Sequence, residues 1–107
     1  MNAGVRPVRP VIAAASVPFL PRHVILRYDK VRERWLILAP ERVLIPEDTA
    51  VAVLKLVDGK RTMADIAAEL AATYAAPVDL ILTDSIALLQ DLADKGFLST
   101  VSELENG

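Results

Sequence analysis

The residue types that most often carry out catalysis are scarce in this 107-residue chain. Cysteine is absent, and the one histidine, His23, follows Arg22 at the start of a predicted strand with no companion motif. A catalytic triad needs a histidine oriented by an acid, and a sulfur or histidine metal site needs several ligands. The four glycines are too far apart for a phosphate-binding loop. We therefore predict no catalytic residue, no metal site, no cofactor and no enzymatic activity.

Carboxylates are plentiful, and two close pairs have the spacing of a general acid and base, Asp91 with Asp94 and Glu103 with Glu105. Closely spaced acids on a polar surface are usually solvated, so we assign no chemistry to them. The charges are divided unevenly along the chain. Residues 1–34 hold seven Lys or Arg and two acids, whereas residues 35–107 hold five and twelve. This division predicts that different faces of the protein meet different partners.

The elements that position these side chains begin with three short strands. Strand-forming residues at 23–28 and 34–38 flank a polar connection of hairpin length. A third strand, residues 42–45, lies between Pro40 and Pro46. Because proline cannot donate to a strand ladder, we predict this strand at the edge of an antiparallel sheet.

Helical patterns follow the strands, over residues 48–57, 63–74 and 79–95. Thr62 and Asp65 form a capping-box pattern before the second helix, and Asp79 is predicted to cap the third. Gly96 supplies the left-handed residue that ends the third helix. The predicted fold class is α+β: a winged helix-turn-helix-like domain with three short antiparallel strands followed by three helices.

The two ends of the chain differ in composition from the domain between them, residues 21–98. Residues 1–20 are rich in proline and are predicted to form an extended arm that can dock in part. Residues 99–107 are predicted to be a flexible tail. No apolar run approaches the ~20 residues that span a bilayer, and residues 11–20 lack a convincing signal-peptide core. We predict a cytoplasmic protein with no membrane contact.

The third predicted helix argues against nucleic-acid binding, which the winged-helix pattern would otherwise suggest. It carries Asp79, Asp84, Asp91 and Asp94 against a single Lys95. Recognition of DNA needs cations at the phosphates and donors at the base edges, and carboxylates repel phosphate. We therefore predict that the chain does not bind nucleic acid.

The same helix has more apolar surface than one buried face requires. One stripe consists of Leu82, Ile86, Leu89 and Ala93, and a second of Ile81, Leu88 and Leu92. Two interpretations stay open. Either the helix is central and buries both stripes, or the second stripe lines a groove for a partner.

A peptide-binding site follows from the edge strand and the second stripe. An open edge accepts a peptide as a further strand, while the stripe offers a pocket for its side chains. Arginines near the edge favour an acidic peptide. The predicted binding residues are Arg27, Arg34 and Arg42, the strand residues Val43, Leu44 and Ile45, and the helix residues Ile81, Ser85, Leu88 and Leu92.

An ordered set of short motifs extends over residues 19–98. They include Arg27-Tyr28-Asp29, Leu38-Ala39-Pro40-Glu41, Val57-Asp58-Gly59-Lys60-Arg61-Thr62 and Gly96-Phe97-Leu98. In this order and at these spacings, the chain resembles the pyrroloquinoline quinone biosynthesis protein D family, PqqD. The motif residues expected to have structural roles are Asp29, Pro40, Glu41, Asp58, Gly59 and Gly96. The chain departs from the family pattern at Pro46-Glu47, where Leu-Asn is usual, and at Arg42, where glycine is frequent.

The resemblance implies a stand-alone domain that recognises the leader of a ribosomally made precursor peptide. For this family the peptide is PqqA, presented to the radical S-adenosylmethionine (SAM) enzyme PqqE, which joins a Glu and a Tyr by a carbon–carbon bond. In related domains the peptide lies beside the third strand and packs on the third helix. That placement implies residues 42–45 and 79–95 here.

Other functions and assemblies remain open on the sequence alone. One alternative is a carrier that binds the quinone or an intermediate through arginines near a pocket. A less favoured one is a winged-helix transcriptional regulator. The exposed strand edge and the apolar arm also predict a homodimer formed by strand or arm exchange.

Overall fold

The computed structural model describes residues 10–101, which form an α+β fold, as predicted. The strands are β1 (Pro18–Phe19), β2 (Ile25–Asp29), β3 (Arg34–Ala39), β4 (Arg42–Leu44) and β5 (Ser99–Thr100). The helices are α1 (Asp48–Leu54), α2 (Met63–Tyr74) and α3 (Val78–Asp94). The predicted hairpin, third strand and three helices are thus confirmed. The likeness to a winged helix is loose, because the strands form two small sheets.

The main sheet has the order β2-β3-β4, with both pairs antiparallel. One row across it packs into or against the core: Leu26, Ile37 and Leu44. Side chains alternate along a strand, so the neighbouring row points to the opposite side: Ile25, Leu38 and Val43. We refer to these sides as the inner and outer faces of the sheet.

Asp29 stabilises the turn between β2 and β3. Its Oδ1 accepts hydrogen bonds from the backbone N–H groups of Val31 (3.0 Å) and Arg32 (3.3 Å). Arg32 Nη1 also donates to Asp29 Oδ2 at 3.1 Å. These bonds, above all the one from the Arg32 backbone, lower the pKa of Asp29. The carboxylate therefore has the structural role expected for this motif residue.

A two-residue turn, Pro40-Glu41, connects β3 to β4 and pairs Ala39 with Arg42. Glu41 has a φ of 60°, in the left-handed region that glycine or asparagine adopts more readily. Pro40, the first central residue, has its own φ fixed at about −65° by its ring, and this combination matches a type II turn. The turn gives β4 its register against β3.

The first helix is shorter than predicted, ending at Leu54 rather than at residue 57. The next two N–H groups bond three residues back: Leu56 to the Val53 carbonyl at 3.0 Å and Val57 to the Leu54 carbonyl at 3.1 Å. This tighter winding ends the α-helix. The apolar spacing continues through the tighter turn and so does not mark the end of the helix.

Asp58 and Gly59 form the connection to α2, as the motif implies. Asp58 Oδ1 accepts from the N–H groups of Lys60 and Arg61, both at 2.9 Å, and these bonds lower its pKa. Gly59 has a φ of 77°, which side chains with a Cβ rarely adopt. The connection thus needs a small acid followed by glycine.

Local signals at the helix ends agree with the structure in two places and differ in one. Thr62 and Asp65 form the predicted capping box, with reciprocal bonds of 3.0 Å. Gly96 follows α3 with a φ of 87°, as predicted. Asp79, however, does not cap α3: Pro77 is the N-cap residue, and Asp79 lies in the first turn. There its charge still favours the positive end of the helix.

Residues from the sheet and all three helices form one core. Ile37, Met63, Ile66 and Leu89 are completely or almost completely buried. Phe97 and Leu98 return the chain to this core after α3, as their apolar character predicted. The main sheet therefore packs its inner face against a three-helix layer.

Residues 10–20 of the predicted arm lie against the domain. The carbonyls of Ser16 and Ala14 accept from the N–H groups of Met63 and Ala64, both at 2.9 Å. These donors belong to the first turn of α2, where no partner exists within the helix. The arm therefore satisfies the backbone at the start of α2.

The terminal segments pair with each other in the second sheet. Pro18 lies opposite Thr100 and Phe19 opposite Ser99. The Val101 N–H also donates to the Val17 carbonyl at 2.8 Å. Ser99 and Thr100, assigned to the tail by their polar sequence, thus form β5, because a distant strand supplies the pairing. The predicted arm and tail otherwise extend to residues 1–9 and 102–107, which lie outside the described residues.

Within residues 10–101, no helix is long and apolar enough to cross a membrane.

Candidate functional site

The edge strand β4 is fastened to the C-terminal end of α3 by Arg42. Its Nη1 donates to the Lys95 carbonyl at 2.8 Å, and its guanidinium carbon lies 4.2 Å from the centre of the Phe97 ring. A cation at the carbonyl end of a helix is favourable, and so is its position over an aromatic ring. Arg42 therefore holds β4 beside α3, although the sequence predicted that it contacts the peptide.

An apolar cavity of about 310 Å³ opens further along the helix layer, between α1, α2 and the N-terminal half of α3. Its apolar lining includes Ala52, Val53, Leu70, Ile81 and Leu88. The remaining lining residues are Asp48, Thr49, Tyr74, Asp84 and Ser85. The cavity has the size and character of a pocket for one large side chain or a small apolar ligand.

A shallower hollow continues from this cavity along α3. It is lined by Thr49, Asp84, Ala87, Leu88 and Asp91. Three of these residues also line the cavity, so the two spaces form one depression. Asp91 is one helical turn before Lys95, where Arg42 is bound. The depression therefore extends along α3 from the cavity towards β4.

Ser85 is a polar residue buried in an otherwise apolar part of the depression. Only 2% of its surface is exposed, and its side chain lines the cavity. Among residues 10–101 its hydroxyl makes no hydrogen bond. Buried hydroxyls are nearly always paired, so this hydroxyl at the wall of an open cavity is available to hydrogen-bond a water molecule or a ligand.

The helix residues predicted to bind the peptide separate into two groups. Ile81, Ser85 and Leu88 line the cavity together. Leu92 does not: it is 5% exposed and belongs to the core. On β4, Val43 and Ile45 are exposed by 63% and 57%, whereas Leu44 packs against the core. Val43, Ile45 and the three cavity residues are therefore the predicted positions available to a ligand.

The three predicted arginines do not converge on the depression. Arg27 and Arg34 are on the outer face, in the rows of Leu36 and Asp29. Arg42 is on the inner face and is bound at the end of α3. The charged groups that line the depression are instead carboxylates: Asp48, Asp84 and Asp91, of which Asp91 is paired with Lys95 at 2.9 Å. This charge favours a neutral or basic segment, so the expectation of an acidic peptide is not supported.

Several lining residues were missed by the sequence analysis, namely all those of α1 and α2 together with Asp84, Ala87 and Asp91 of α3. The space exists because small residues face it, Ala52 from α1 and Ser85 from α3. A second signal was Tyr74, which ends α2 with 62% of its surface exposed. These signals become informative only when the helices are placed side by side. Within the described residues, no cluster of His, Asp and Glu could hold a metal ion.

Comparison with known proteins places this geometry in a family. The model of the family described as "Coenzyme PQQ synthesis protein D (PqqD)" matches residues 34–98. The chain belongs to the PqqD family. A "PqqA binding protein" of Bradyrhizobium diazoefficiens is 59% identical over 92 residues, covering 86% of this chain and 89% of that one. The resemblance stated from the sequence motifs is thus confirmed.

Two further PqqD relatives add information on architecture. The solution structure of the PqqD part of Methylobacterium extorquens PqqCD has a TM-score of 0.73 and 46% identity, covering 82% of this chain and 94% of that one. It is described as a functional, stand-alone recognition element for ribosomally synthesised and post-translationally modified peptides. A bifunctional PQQ synthesis protein C/D of Methylorubrum extorquens is 48% identical over 86 residues, which are 23% of its length. PqqD is a recognition element rather than an enzyme, in agreement with the predicted lack of catalysis.

Proposed function

We propose that this chain binds the precursor peptide PqqA and presents it to the radical SAM enzyme PqqE without catalysing a reaction itself. The observation that carries the proposal is the depression along α3, which contains an apolar cavity and extends towards the open strand β4. The buried Ser85 hydroxyl in the cavity wall makes no hydrogen bond within residues 10–101. The names of the relatives support the choice of peptide.

The free edge of β4 supplies the main-chain part of the binding. In a two-residue hairpin the closing pair, here Ala39 and Arg42, exchanges hydrogen bonds, and the next pair does not. The alternation leaves the N–H and carbonyl of Val43 directed away from β3. A peptide strand hydrogen-bonded there would extend the sheet in the order β2-β3-β4-peptide.

The depression supplies the side-chain part. An apolar side chain of the peptide would fill the cavity against Ile81 and Leu88, and a polar atom on it would bond the Ser85 hydroxyl. Asp84, which forms none of the ion pairs found among the described residues, would favour a lysine or arginine beside that anchor. The depression would therefore select a peptide in which an apolar side chain lies next to a lysine or arginine.

The consequence for the pathway is a higher local concentration of the peptide at the enzyme, because carrier, peptide and enzyme form one complex. A ribosomal product is made in the cytoplasm, and we place the function there. The alternative of a quinone carrier through arginines has less support, because the charged residues at the cavity are Asp48 and Asp84. These carboxylates repel a carboxylated ligand.

A dimer formed by exchange of strands or of the arm stays a prediction. Residues 10–20 bind their own domain through Gln90 and the start of α2. Exchange would have to break these bonds and form them again on a second copy. The peptide site proposed here is complete within one chain.

Calorimetric titration with synthetic PqqA tests the proposal, and saturable binding at micromolar concentrations is expected. Leu88→Asp, which places a charge in the cavity wall, should weaken binding by about ten-fold or more. Val43→Pro, which removes the free edge donor, should also weaken it, and Ala72→Asp on the exposed side of α2 serves as the control. Absence of binding to the wild-type chain would overturn the function, and full affinity in both folded variants would overturn the site.

A further inference from the structure

The outer face of the main sheet is apolar at its centre although nothing in residues 10–101 packs on it as a layer. Ile25 and Val43 are 52% and 63% exposed. Leu38 lies between them in the register, and Leu36 is two residues away on the same strand; both are half-buried and are not part of the core. Soluble proteins rarely expose contiguous apolar surface without a partner, so this face indicates an interface. We refer to these four residues as the outer-face patch.

The register connects this patch to the proposed peptide strand. Ile25, Leu38 and Val43 are directly opposite one another from β2 to β4. The next position in that row belongs to whatever pairs with β4. If PqqA binds there, alternate peptide side chains point to the outer side and continue the row, because side chains of neighbouring strands share a face. A partner covering the patch would then contact the carrier and the bound peptide together.

The charge of the patch restricts the partner. Arg27 lies opposite Leu36, and Arg34 borders the same face. Arg34 and Arg27 form none of the ion pairs found among the described residues. A second copy docked patch to patch by a two-fold axis would bring these like charges together, which is unfavourable. An apolar surface bordered by carboxylates is the complementary partner.

From this geometry we infer that the outer-face patch, extended by the bound peptide strand, is the surface recognised by the enzyme that modifies the peptide. This inference rests on the proposed function, because it places PqqA on β4. It implies that the enzyme prefers the loaded carrier to the empty one. The depression along α3 faces the peptide from the other side and takes no part in this contact.

The test separates peptide binding from enzyme binding. Labelled PqqA is titrated by fluorescence anisotropy, and immobilised PqqE is titrated by interferometry with the carrier alone and with the carrier saturated by PqqA. The wild-type chain should bind PqqE about ten-fold more tightly when loaded. Leu36→Asp and Arg27→Glu should each lower the affinity of the loaded carrier for PqqE by about ten-fold or more. Both should bind PqqA within about two-fold of wild type, since neither position contacts β4's free edge.

Three controls keep the result interpretable. Arg27→Lys keeps the charge and should bind PqqE like the wild type, and Ala72→Asp should leave both affinities unchanged. Circular dichroism confirms that each variant is folded. Unchanged PqqE affinity in folded Leu36→Asp and Arg27→Glu would overturn the inference. So would a wild-type dimer that Leu36→Asp converts to a monomer, because the patch would then be an interface between copies. Loss of PqqA binding by the wild type would instead overturn the proposed function.

Discussion

The two halves of α3 are packed differently, although both have the apolar spacing of a buried helix. We place the division after Leu88, so that the C-terminal half is the shorter one. In the C-terminal half, Leu89, Leu92 and Ala93 are buried in the core. In the longer N-terminal half, Ile81 and Leu88 are half-buried and line an open cavity. The C-terminal half is also fastened on two sides, by Arg42 from β4 and by the arm. One helix thus combines a half that stabilises the domain with a half that is available to a ligand.

This difference explains why the sequence showed two apolar stripes on α3. Leu92 of the second stripe is in the core, as the first interpretation has it, whereas Ile81 and Leu88 pack against the core and also line the cavity. That a partner occupies the cavity stays a proposal. A stripe of leucines therefore does not by itself indicate a groove. What distinguishes the halves is the size of the opposing residues, since Ala52 leaves space that a larger side chain would fill.

The largest expected effect is on stability, when the adjacent residues Leu88 and Leu89, one from each half of α3, are each replaced by alanine. Leu89→Ala removes a completely buried side chain and should lower the free energy of unfolding by about 2–5 kcal/mol. Leu88→Ala removes a half-buried one and should cost less than about 1.5 kcal/mol, while weakening PqqA binding. Urea denaturation and peptide titration of both variants provide the measurement. Equal losses of stability would contradict the division of the helix.

Filling the cavity is the next sharpest way to test the open half. Ser85→Leu replaces the hydroxyl, which makes no hydrogen bond within residues 10–101, with three carbon atoms in a space of about 310 Å³. We expect stability to be kept or increased, and PqqA affinity to fall by about ten-fold. Ser85→Ala is the matched control, because it removes the hydroxyl and leaves the space, and it should weaken binding less. An unaffected affinity in folded Ser85→Leu would exclude the cavity from the site.

Replacing Gln90 tests the contacts between the C-terminal half of α3 and the arm without changing the lining of the cavity. Its side chain bonds the backbone of Ile12 and Pro10 at 2.8 Å each, and Nε2 also lies 3.0 Å from Asp94 Oδ1. Gln90→Ala should lower stability by about 1 kcal/mol and speed hydrogen exchange at Ile12. PqqA affinity should stay the same, since Gln90 is absent from the lining of the depression. Reduced affinity would show that the arm contributes to the site.

Much of the fold could be predicted from the sequence where the determinants are local. The capping box of Thr62 and Asp65 and the left-handed Gly96 each depend on a few adjacent residues. The pairing of Ser99 and Thr100 with Pro18 and Phe19 depends on chain ends some eighty residues apart, and neither segment has a strong strand pattern. Polar composition alone therefore assigned β5 to a tail.

The candidate site was predicted less completely, because it depends on the register of the sheet and on the packing of three helices. The positions of Arg27 and Arg42 on opposite faces follow from the register that the two turns impose, and turn length decides it. The cavity walls come from three helices, and only their packing brings Ala52, Leu70 and Ile81 together. The edge position of β4 and the second apolar stripe of α3 predicted the region of the site. They did not predict that the charged residues lining the depression are carboxylates.

The smallest expected effect concerns the turn carboxylates, which stabilise the scaffold outside both halves of α3. The pKa of Asp58 is lowered in the folded chain, chiefly by hydrogen bonds from the backbone of Arg61 and Lys60. A lowered pKa means that the stabilisation is present above the ordinary value of 3.8 and is lost as the pH falls through the lower folded value. Asp58→Asn keeps an oxygen acceptor for the turn but does not titrate in this range. Urea denaturation between about pH 5 and pH 2.5 should therefore show a shallower loss of stability for Asp58→Asn than for the wild type. Parallel curves would mean that the carboxylate charge contributes nothing to the turn. PqqA binding at neutral pH should be the same for both proteins, because Asp58 is absent from the lining of the depression.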